Sequence, residues 1–565
     1  MKKSILFLLI FVGIGVLPNL LRIHLPGELG DLQYMESIAY SALLMIFWLA
    51  VCKKLWVAMA TALVFTAWWV VEVYLRLQFR TGVNASFVGM VRETNPSEIL
   101  SFVTTYGVTL VLPWLLSVVV FAWLVVFSYK KKWEWSHRSR AWVLLGFSLL
   151  GGALYWTFAQ QEPDDLAAAP DEFSVRPMSF WVEKWADIYP TNAVFALWKD
   201  REYRKLMHAL KGRLNNHQFE IKKSASIDPD LVVLIIGESS RRDRWSLFGY
   251  PRLTTPNLEK RPNIYLFKDM VTVSTATRTS VPEMITQHPI QRPDGVISKA
   301  PEPSIVSVFK QAGYKTYWLS NQSSSGFYDS PIALYASEAD QRYFPNPSSF
   351  ASRGSLDEVL LPAFDNIIKQ SGKRFLVIHT MGSHFNYAYR YPTAFERFKP
   401  ALHPDRIFLT TDPSQKKEAN NAYDNSILYT DYFLDQIFQR MESLSGKSVA
   451  LFLSDHGEDI FEPGCVSTGV TRTSRYSYEI PAFMWANSPY LRSSPDYIAW
   501  IKSLENRRLM TQDVYPMILK AAGIDVLGQE YPLFDNRVER MVYGQNRWID
   551  FDEELEKDAC VIGRR

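Results

Sequence analysis

Apolar residues are concentrated in the first 160 positions of the chain. Five long apolar stretches follow one another there, over residues 4–22, 34–52, 55–75, 106–128 and 141–159. Each is close to the roughly 20 residues that a helix needs to cross the hydrocarbon core of a bilayer. The pattern therefore predicts a five-helix transmembrane domain over residues 1–160.

Basic residues predict the orientation of these helices. They precede the first stretch, separate the second from the third, and separate the fourth from the fifth, at Lys2, Lys3, Lys53, Lys54, Lys130, Lys131, Lys132, Arg138 and Arg140. If the spans alternate, all of these positions lie on one side, which the Lys and Arg excess marks as cytoplasmic. No small-residue cleavage site follows the first stretch, so we expect an anchor rather than a removed signal peptide. Everything after residue 160 is then expected outside the cytoplasm.

From about residue 228 the pattern changes to short apolar runs that alternate with helical segments. Runs with the length and composition of buried strands lie at residues 230–236, 315–320, 375–379 and 448–453. Helical spacing at residues 304–312 and 423–441 lies between them. This alternation predicts a C-terminal α/β sandwich over residues 228–565. Residues 161–227, acidic at first and then helical with aromatic residues, are predicted to form a bridging interfacial linker.

Charge and cysteine content narrow the class of protein. The net charge is only +3, which argues against a nucleic-acid binder that depends on bulk positive charge. The three cysteines, Cys52, Cys465 and Cys560, are too few for a disulfide scaffold. A Cys465–Cys560 disulfide and two unpaired thiols both stay open.

Polar side chains follow the first and last buried runs. Glu238 comes directly after the first, and Asp455 with His456 follows the last. Because ligands collect at the carboxyl ends of parallel strands, these side chains are expected at one edge of the sheet. Two carboxylates and an imidazole suit zinc. The hydroxyl-rich segment 272–284 is the expected source of a fourth ligand, with Pro282 in the first turn of a helix whose N-terminus favours anions.

Each of these residues also has a purely structural explanation. A glutamate after a strand can be a capping or surface residue, an Asp-His pair can be solvated, and hydroxyl-rich loops are common. The metal-site hypothesis depends on the combination rather than on any one residue.

Several segments resemble motifs of bacterial phosphoethanolamine transferases, which lie within the alkaline phosphatase and sulfatase superfamily. In chain order they are GESSRRDRWSLFGYPRLTTPNL at 237–258, TRTSVPEM at 277–284, HTMGSH at 379–384, NAYDNSILYTD at 421–431 and SDHGED at 454–459. The five-span anchor and ETNPSE at 93–98 match the same family. The resemblance covers nearly the whole chain and implies an alkaline phosphatase/sulfatase-like catalytic domain.

The resemblance implies a zinc site and a hydroxyl nucleophile. The implied zinc ligands are Glu238, Thr277, Asp455 and His456. Thr277 is also the implied nucleophile, with Thr275 and Thr279 as local competitors. His384 resembles a histidine that contacts the phosphoryl group or an additional metal. Asn321 is a looser match to a headgroup-binding asparagine.

The reaction implied is transfer of phosphoethanolamine from phosphatidylethanolamine to an envelope glycan or glycolipid, through a covalent intermediate on Thr277. Lipopolysaccharide lipid A, a core sugar and another periplasmic glycan stay open as acceptors. The implied location is the bacterial inner membrane, with several spans and a periplasmic catalytic domain. The alternatives are a lipid phosphodiesterase or phosphatase, and a membrane-anchored binding protein without catalysis.

The sequence also departs from the family pattern. Cysteines do not flank the nucleophile loop, so a disulfide clamp is not expected there. The stretch after SDHGED has no histidine, and Thr468 stands near the place where many relatives have one. A phosphate-binding or second-metal site is then either incomplete or built from Arg472 or Arg475. The segment SVPEM at 280–284 lacks the arginine of the sulfatase maturation motif, which counts against sulfatase activity.

Overall fold

The chain divides into two compact units, Met1–Glu93 with Ile99–Leu206, and Thr94–Glu98 with Met207–Arg565. The computed structural model describes residues 2–20, 31–63, 66–79, 96–160, 188–198, 216–224, 226–290, 301–322, 331–345, 355–404, 412–462, 474–529, 539–544 and 547–555, together with a few shorter pieces between them. Cys465, Cys560 and residues 93–95 of the ETNPSE motif lie outside the described residues, so the pairing of the two cysteines stays open.

The first unit is helical wherever it is described at length. Its helices are α1 (Lys2–Leu20), α2 (Asp31–Cys52), α3 (Leu55–Leu63), α4 (Thr66–Phe79), α5 (Pro96–Lys130), α6 (Ser139–Gln160) and the short α7 (192–198). The described residues of the five predicted apolar stretches fall on helices. Among the described residues, α2 and α5 are each long and apolar enough to cross a membrane, and the bent pair α3 and α4 adds a third span if it counts as one. The count of five spans stays a prediction.

A buried carboxylate in α4 holds together separate parts of this unit. Glu72 is fully buried. It accepts hydrogen bonds from Arg76 Nε at 2.6 Å, from the backbone N–H of Val83 at 2.8 Å and from Asn192 Nδ2 at 2.9 Å. A charge in apolar surroundings is tolerated only when it is paired in this way. The cluster therefore attaches both Val83 and the start of α7 to α4.

The segment that leads into α7 is attached to two more helices. The carbonyl of Tyr189 accepts from Asn19 Nδ2 of α1 at 3.0 Å and from Ser41 Oγ of α2 at 3.1 Å. On α7, Val194, Leu197 and Trp198 are exposed, and the interfacial position of this segment stays a prediction.

The second unit is built on one seven-stranded sheet with the strand order β3-β11-β8-β2-β7-β5-β6. Its members are β2 (Leu231–Gly237), β3 (Ile264–Leu266), β5 (Lys315–Ser320), β6 (Gln341–Tyr343), β7 (Arg374–His379), β8 (Ser448–Ser454) and β11 (Ala482–Ala486). Strands β8, β2, β7, β5 and β6 run parallel, whereas β11 is antiparallel to both β8 and β3. The four strands predicted from sequence are β2, β5, β7 and β8, and the α/β prediction is confirmed.

Smaller strand pairs and helices surround this sheet. The short strands are β1 (Ile221–Lys223), β4 (Met270–Val271), β9 (Asp459–Ile460), β10 (Thr468–Gly469), β12 (Leu509–Met510), β13 (Ile524–Val526), β14 (Met541–Gly544) and β15 (Arg547–Asp550). The helices are α8 (Thr277–Ile285), α9 (Ile305–Gln311), α10 (Pro331–Ala336), α11 (Leu361–Ile368), α12 (Lys416–Glu442), α13 (Arg475–Tyr478), α14 (Ser488–Ser493), α15 (Pro495–Ser503), α16 (Val514–Ala521) and α17 (Phe551–Glu554).

The core of the second unit packs helices against both faces of the sheet. All seven residues of β2 are buried. Val233 and Ile235 belong to the cluster that includes Phe433 of α12, and on another part of the sheet Phe309 of α9 stacks on Phe375 with ring centroids 3.9 Å apart. Each large apolar side chain buried this way contributes about 1.5–3 kcal/mol. The ends of β2, β7 and β8 are thus held on a rigid scaffold.

Candidate functional site

Three buried side chains at the ends of β2 and β8 form the candidate metal centre. Strands β2 and β8 pair in parallel with Gly237 opposite Ser454, so Glu238, Asp455 and His456 emerge at one edge of the sheet, as predicted. One ligand atom from each lies within 4.8 Å of the others. All three side chains are buried, which favours binding of an ion over solvation.

The electrostatics of the Glu238 and Asp455 carboxylates favour a bound cation. Burial raises the pKa of Glu238 well above its usual range, and the negative charge of Asp455 raises it further. Two close carboxylates repel when both are ionised. A divalent cation between them reverses this effect and favours the ionised forms.

The hydrogen bonds of Asp455 and His456 leave one potential ligand atom of each side chain available to a metal. Oδ1 of Asp455 accepts from the backbone N–H groups of Ser239 at 2.9 Å and His456 at 2.7 Å, whereas its Oδ2 has no hydrogen-bond partner among the described residues. Nδ1 of His456 donates to the carbonyl of Gly457 at 2.7 Å. Its Nε2 then lies 3.5 Å from Glu238 Oε1 and 3.4 Å from Asp455 Oδ2. This mixed set of oxygen and nitrogen donors, with a fixed histidine tautomer, fits zinc.

Thr277 brings a hydroxyl to the same place. Its Oγ1 lies 3.2 Å from Glu238 Oε2 and 3.4 Å from His456 Nε2. Helix α8 begins at Thr277, so the hydroxyl stands at the positive end of the helix, where backbone N–H groups favour an anion. The expectation that Pro282 occupies the first turn is wrong, because Pro282 is the sixth residue of α8.

The neighbouring hydroxyls serve other contacts. Thr279 Oγ1 donates to the carbonyl of Ala276 at 3.1 Å and lies 2.8 Å from Ser274 Oγ. Ser280 Oγ donates to the carbonyl of Asp455 at 2.6 Å and so fixes α8 against the metal cluster. Between Thr277 and Thr279, Thr277 is therefore the threonine that this geometry joins to the cluster.

The turn after β7 passes close to Glu238. Gly382 has a φ of +44°, and a Cβ there would lie 2.8 Å from the Glu238 carbonyl oxygen and 2.9 Å from its nitrogen. The next N–H, of Ser383, donates to that carbonyl at 2.9 Å. Glycine is therefore required for the HTMGSH turn to reach the site.

His384 at the end of this turn is held neutral. Its Nδ1 donates to the carbonyl of Phe385 at 2.6 Å. Burial, together with the positive charge of Arg390, lowers the pKa of His384 to about 3. Arg390 donates to the carbonyl of His384 at 2.8 Å and to that of Phe385 at 3.0 Å. His384 is thus positioned as a neutral imidazole, which can accept a hydrogen bond at Nε2.

Asn321, the predicted headgroup ligand, is buried and donates to the Ser355 carbonyl and to Asp357 Oδ1, both at 2.8 Å. Asp357 in turn accepts from the N–H groups of Met381 and Gly382. In the structure Asn321 thus supports the HTMGSH turn, and its headgroup role stays a prediction. The adjacent Gln322 reaches the cluster instead, with Nε2 3.0 Å from Glu238 Oε2.

Of the three positions tied to the departures from the family pattern, Thr468 and Arg475 are described. Thr468 lies in β10 and pairs with Ile460 of β9. Arg475 donates to Glu479 at 2.9 Å and lies over the ring of Phe551, so its described contacts are structural. Arg472 lies outside the described residues. Whether an arginine replaces the missing histidine stays a prediction.

Three residues that support the site were missed in the sequence analysis: Ser239, Gln322 and Arg390. Ser239 follows Glu238 directly, and its φ of +53° is unusual for a residue with a side chain. Only its position beside Glu238 gave a signal. Gln322 and Arg390 could not be identified from the sequence, because neither lies in one of the segments that resemble the family motifs.

Comparison with known proteins agrees with this geometry. The model of the sulfatase family matches residues 230–524. A curated relative, the Kdo(2)-lipid A phosphoethanolamine 7''-transferase of Salmonella typhimurium, is 30% identical over 276 residues, which are 47% of this chain and 46% of that protein. The chain spans about half the length of the curated relatives that it matches first.

Two solved structures share the fold. The zinc complex of the C-terminal periplasmic domain of EptC from Escherichia coli is 26% identical, with a TM-score of 0.52, over 59% of this chain and 96% of that one. The integral membrane protein lipooligosaccharide phosphoethanolamine transferase A from Neisseria meningitidis is 20% identical, with a TM-score of 0.57, over 93% of this chain and 95% of that one. The second match extends the shared fold to the helical unit.

Proposed function

Because this chain belongs to the sulfatase family, we propose that its strand-end cluster transfers phosphoethanolamine from phosphatidylethanolamine to a cell-envelope glycolipid. The observation that carries the proposal is the Thr277 hydroxyl, 3.2 Å from Glu238 and 3.4 Å from His456 at the first residue of α8. A nucleophile beside a metal cluster and at a helix N-terminus suits attack on a phosphodiester.

The residues that would hold zinc are Glu238, Thr277, Asp455 and His456. Zinc, when bound, lowers the pKa of a neighbouring hydroxyl and offsets the negative charge of phosphoryl oxygens. The free Oδ2 of Asp455 and the fixed Nε2 of His456 support this assignment. The zinc complex of the EptC domain supports it for a relative with the same fold.

The proposed reaction has two displacements on Thr277. Its oxygen attacks the donor phosphorus, the bond from phosphorus to the diacylglycerol oxygen breaks, and the threonine proton ends on diacylglycerol. An acceptor hydroxyl, or a protonated phosphate oxygen, then attacks the same phosphorus, the bond from phosphorus to the Thr277 oxygen breaks, and the proton of the acceptor ends on Thr277. His384, neutral and fixed by Phe385 and Arg390, is proposed to accept a hydrogen bond from the acceptor hydroxyl in this step.

The proposed acceptor is lipopolysaccharide, at lipid A or at a core sugar. The support is the name of the Salmonella relative, which specifies a Kdo(2)-lipid A acceptor. The proposed location is the inner membrane, with the second unit in the periplasm. The apolar helices α2 and α5 and the periplasmic domain of EptC support this location, and a lipid donor explains why the enzyme is anchored.

One alternative differs only in the second step. A lipid phosphodiesterase would pass the same intermediate to water and release phosphoethanolamine. A binding protein without catalysis is disfavoured, because Glu238, Thr277, Asp455 and His456 are all present and grouped together. The fate of the headgroup therefore distinguishes the hypotheses.

The test compares cells that make the wild-type protein, the Thr277→Ala variant or neither. Mass spectrometry of their extracted glycolipids should show added phosphoethanolamine only with the wild type. Free phosphoethanolamine from a labelled donor, without modified glycolipid, would instead identify a phosphodiesterase. Neither product in any strain would contradict both enzymatic hypotheses.

A further inference from the structure

We propose that Gln322 is a positioning residue that fixes the Glu238 carboxylate for metal binding. The inference rests on the metal centre of the proposed function and adds a residue to it. Gln322 follows β5, two strands away from β2 in the sheet, and its side chain reaches back across the end of β7 to Glu238.

The orientation of the Gln322 amide is determined by its partners. Nε2 lies 3.0 Å from Glu238 Oε2 and 2.7 Å from the carbonyl oxygen of Thr380. Both partners are acceptors, so the amide NH₂ must face them, and a flipped amide would place two acceptors in contact. Gln322 is buried, and competition from water is therefore small.

Thr380 makes this contact rigid. Its N–H donates to the carbonyl of Ile236 at 3.0 Å, so the carbonyl that holds Gln322 belongs to a residue tied to β2. Gln322, Thr380 and Glu238 are thereby joined through two neighbouring strands. The Thr380 carbonyl already holds the amide of Gln322. The contact with Glu238 therefore costs little further side-chain conformational entropy.

The second oxygen of Glu238 has its own donor. Ser239 Oγ donates to Oε1 at 2.8 Å, whereas Gln322 serves Oε2. Apart from the Thr277 hydroxyl, which lies 3.2 Å from Oε2 and 3.4 Å from Oε1, each carboxylate oxygen thus has one neutral donor.

The expected consequence is measurable as zinc affinity. Residues that orient metal ligands typically account for about 10–100-fold in affinity. Gln322→Met keeps the length of the side chain and removes both N–H groups, so it should weaken zinc binding by roughly 10-fold or more. Gln322 does not touch the proposed nucleophile in any described contact, so the effect on Thr277 is indirect.

The matched control is Gln529→Met. Gln529 Nε2 donates to Glu302 Oε2 at 2.8 Å, which is the same amide-carboxylate contact away from the metal cluster. This variant should bind zinc with the affinity of the wild type. Circular dichroism and thermal melting of the metal-free proteins show whether each variant folds. If Gln322→Met does not fold, Gln322→Ala removes the same N–H groups without added side-chain volume.

The experiment titrates the purified full chain in detergent with zinc against a chromophoric chelator, and repeats the binding with cobalt(II). A loss of about 10-fold in Gln322→Met, with an altered cobalt absorption spectrum and an unchanged control, supports the proposal. An affinity within about twofold of the wild type in both Gln322 variants overturns it. If the wild type binds no zinc and His456→Ala changes nothing, the metal centre itself is wrong, and the two failures are distinguishable.

Discussion

The backbone N–H of Ser239 donates to Oδ1 of Asp455 over 2.9 Å, and joins the turn after β2 to the turn after β8. The hydroxyl of the same residue donates to Glu238 Oε1 at 2.8 Å. One residue in the left-handed region thus orients both acidic members of the metal cluster. Backbone strain of this kind is maintained at sites where the surroundings fix it.

The first prediction concerns the covalent intermediate. Wild-type protein incubated with phosphatidylethanolamine and no acceptor should gain one phosphoethanolamine on the peptide that contains Thr277. Thr277→Ala should not, because the attacking oxygen is missing, whereas Thr277→Ser should retain part of the modification. The measurement is tandem mass spectrometry of the digested protein.

Thr279→Ala is the control for this assignment. Its hydroxyl donates to the Ala276 carbonyl rather than to the cluster, so the adduct should persist in that variant. An adduct that maps to Thr275 or Thr279 would refute the choice of nucleophile and keep the mechanism.

The second prediction is that one zinc ion is held by the cluster. Treatment with a chelator should abolish transfer, and added zinc should restore it. His456→Ala should lower the bound zinc, because it removes the nitrogen ligand. Elemental analysis of the purified full chain measures this, and full zinc occupancy in the variant would exclude His456 as a ligand.

The third prediction concerns Gly382. Gly382→Ala forces a left-handed alanine and a Cβ 2.8 Å from the Glu238 carbonyl oxygen, so it should cost about 2–5 kcal/mol of stability. It should also lower zinc affinity, since Glu238 must move. Melting in detergent and chelator competition measure the two effects.

Gly249→Ala provides the comparison. Gly249 has a φ of +97°, and a Cβ there meets nothing within 4 Å, so only the backbone cost of about 1–2 kcal/mol is expected. Equal destabilisation by the two variants would show that the close approach to Glu238 has no energetic effect.

The fourth prediction is a pH-dependent contribution of Glu338 to stability. Burial raises the pKa of Glu338 from 4.5 to about 7. Between these values the folded chain binds a proton that the unfolded chain has lost, so the free energy of unfolding falls as pH rises. Glu338→Gln removes this term. Relative to the variant, the wild type should therefore lose on the order of 1–3 kcal/mol between pH 5 and pH 8.

Chemical unfolding at the two pH values, followed by intrinsic fluorescence, measures this difference. The exposed Glu442→Gln should show the same difference from the wild type at both. A stability difference for Glu338→Gln that does not change with pH would contradict the raised pKa.

The fifth prediction concerns topology. Five spans with basic loops in the cytoplasm place Ser136 inside and Gln161 outside. Reporter fusions at these positions should therefore report opposite compartments. The same compartment for both fusions would refute this topology.

The parallel core and the grouping of Glu238 with Asp455 at one edge of the sheet were predictable from local sequence. Strands β2, β5, β7 and β8 are continuous apolar runs, and Glu238 and Asp455 stand directly after two of them. The family resemblance is confirmed by the match to the sulfatase model. Pattern and position were sufficient here because burial and the end of a strand are local properties.

The remaining features depend on tertiary contacts. The antiparallel direction of β11 is set by its partners β8 and β3, and its apolar residues do not encode it. Asn321 and Gln322 are adjacent amides, but successive side chains of an extended chain point to opposite sides. Only the assembled sheet shows that Gln322, rather than Asn321, contacts Glu238.

The buried Glu72 of α4 can complete its hydrogen bonds only late in the synthesis of the helical unit. Its partner Asn192 lies 120 residues further along the chain, and at about 5–20 residues per second it emerges about 6–24 s later. The delay is longer for Asn19, because its partner Tyr189 follows it by 170 residues. The segment at 188–198 can therefore make its contacts with α1, α2 and α4 only after all of these helices have been synthesised.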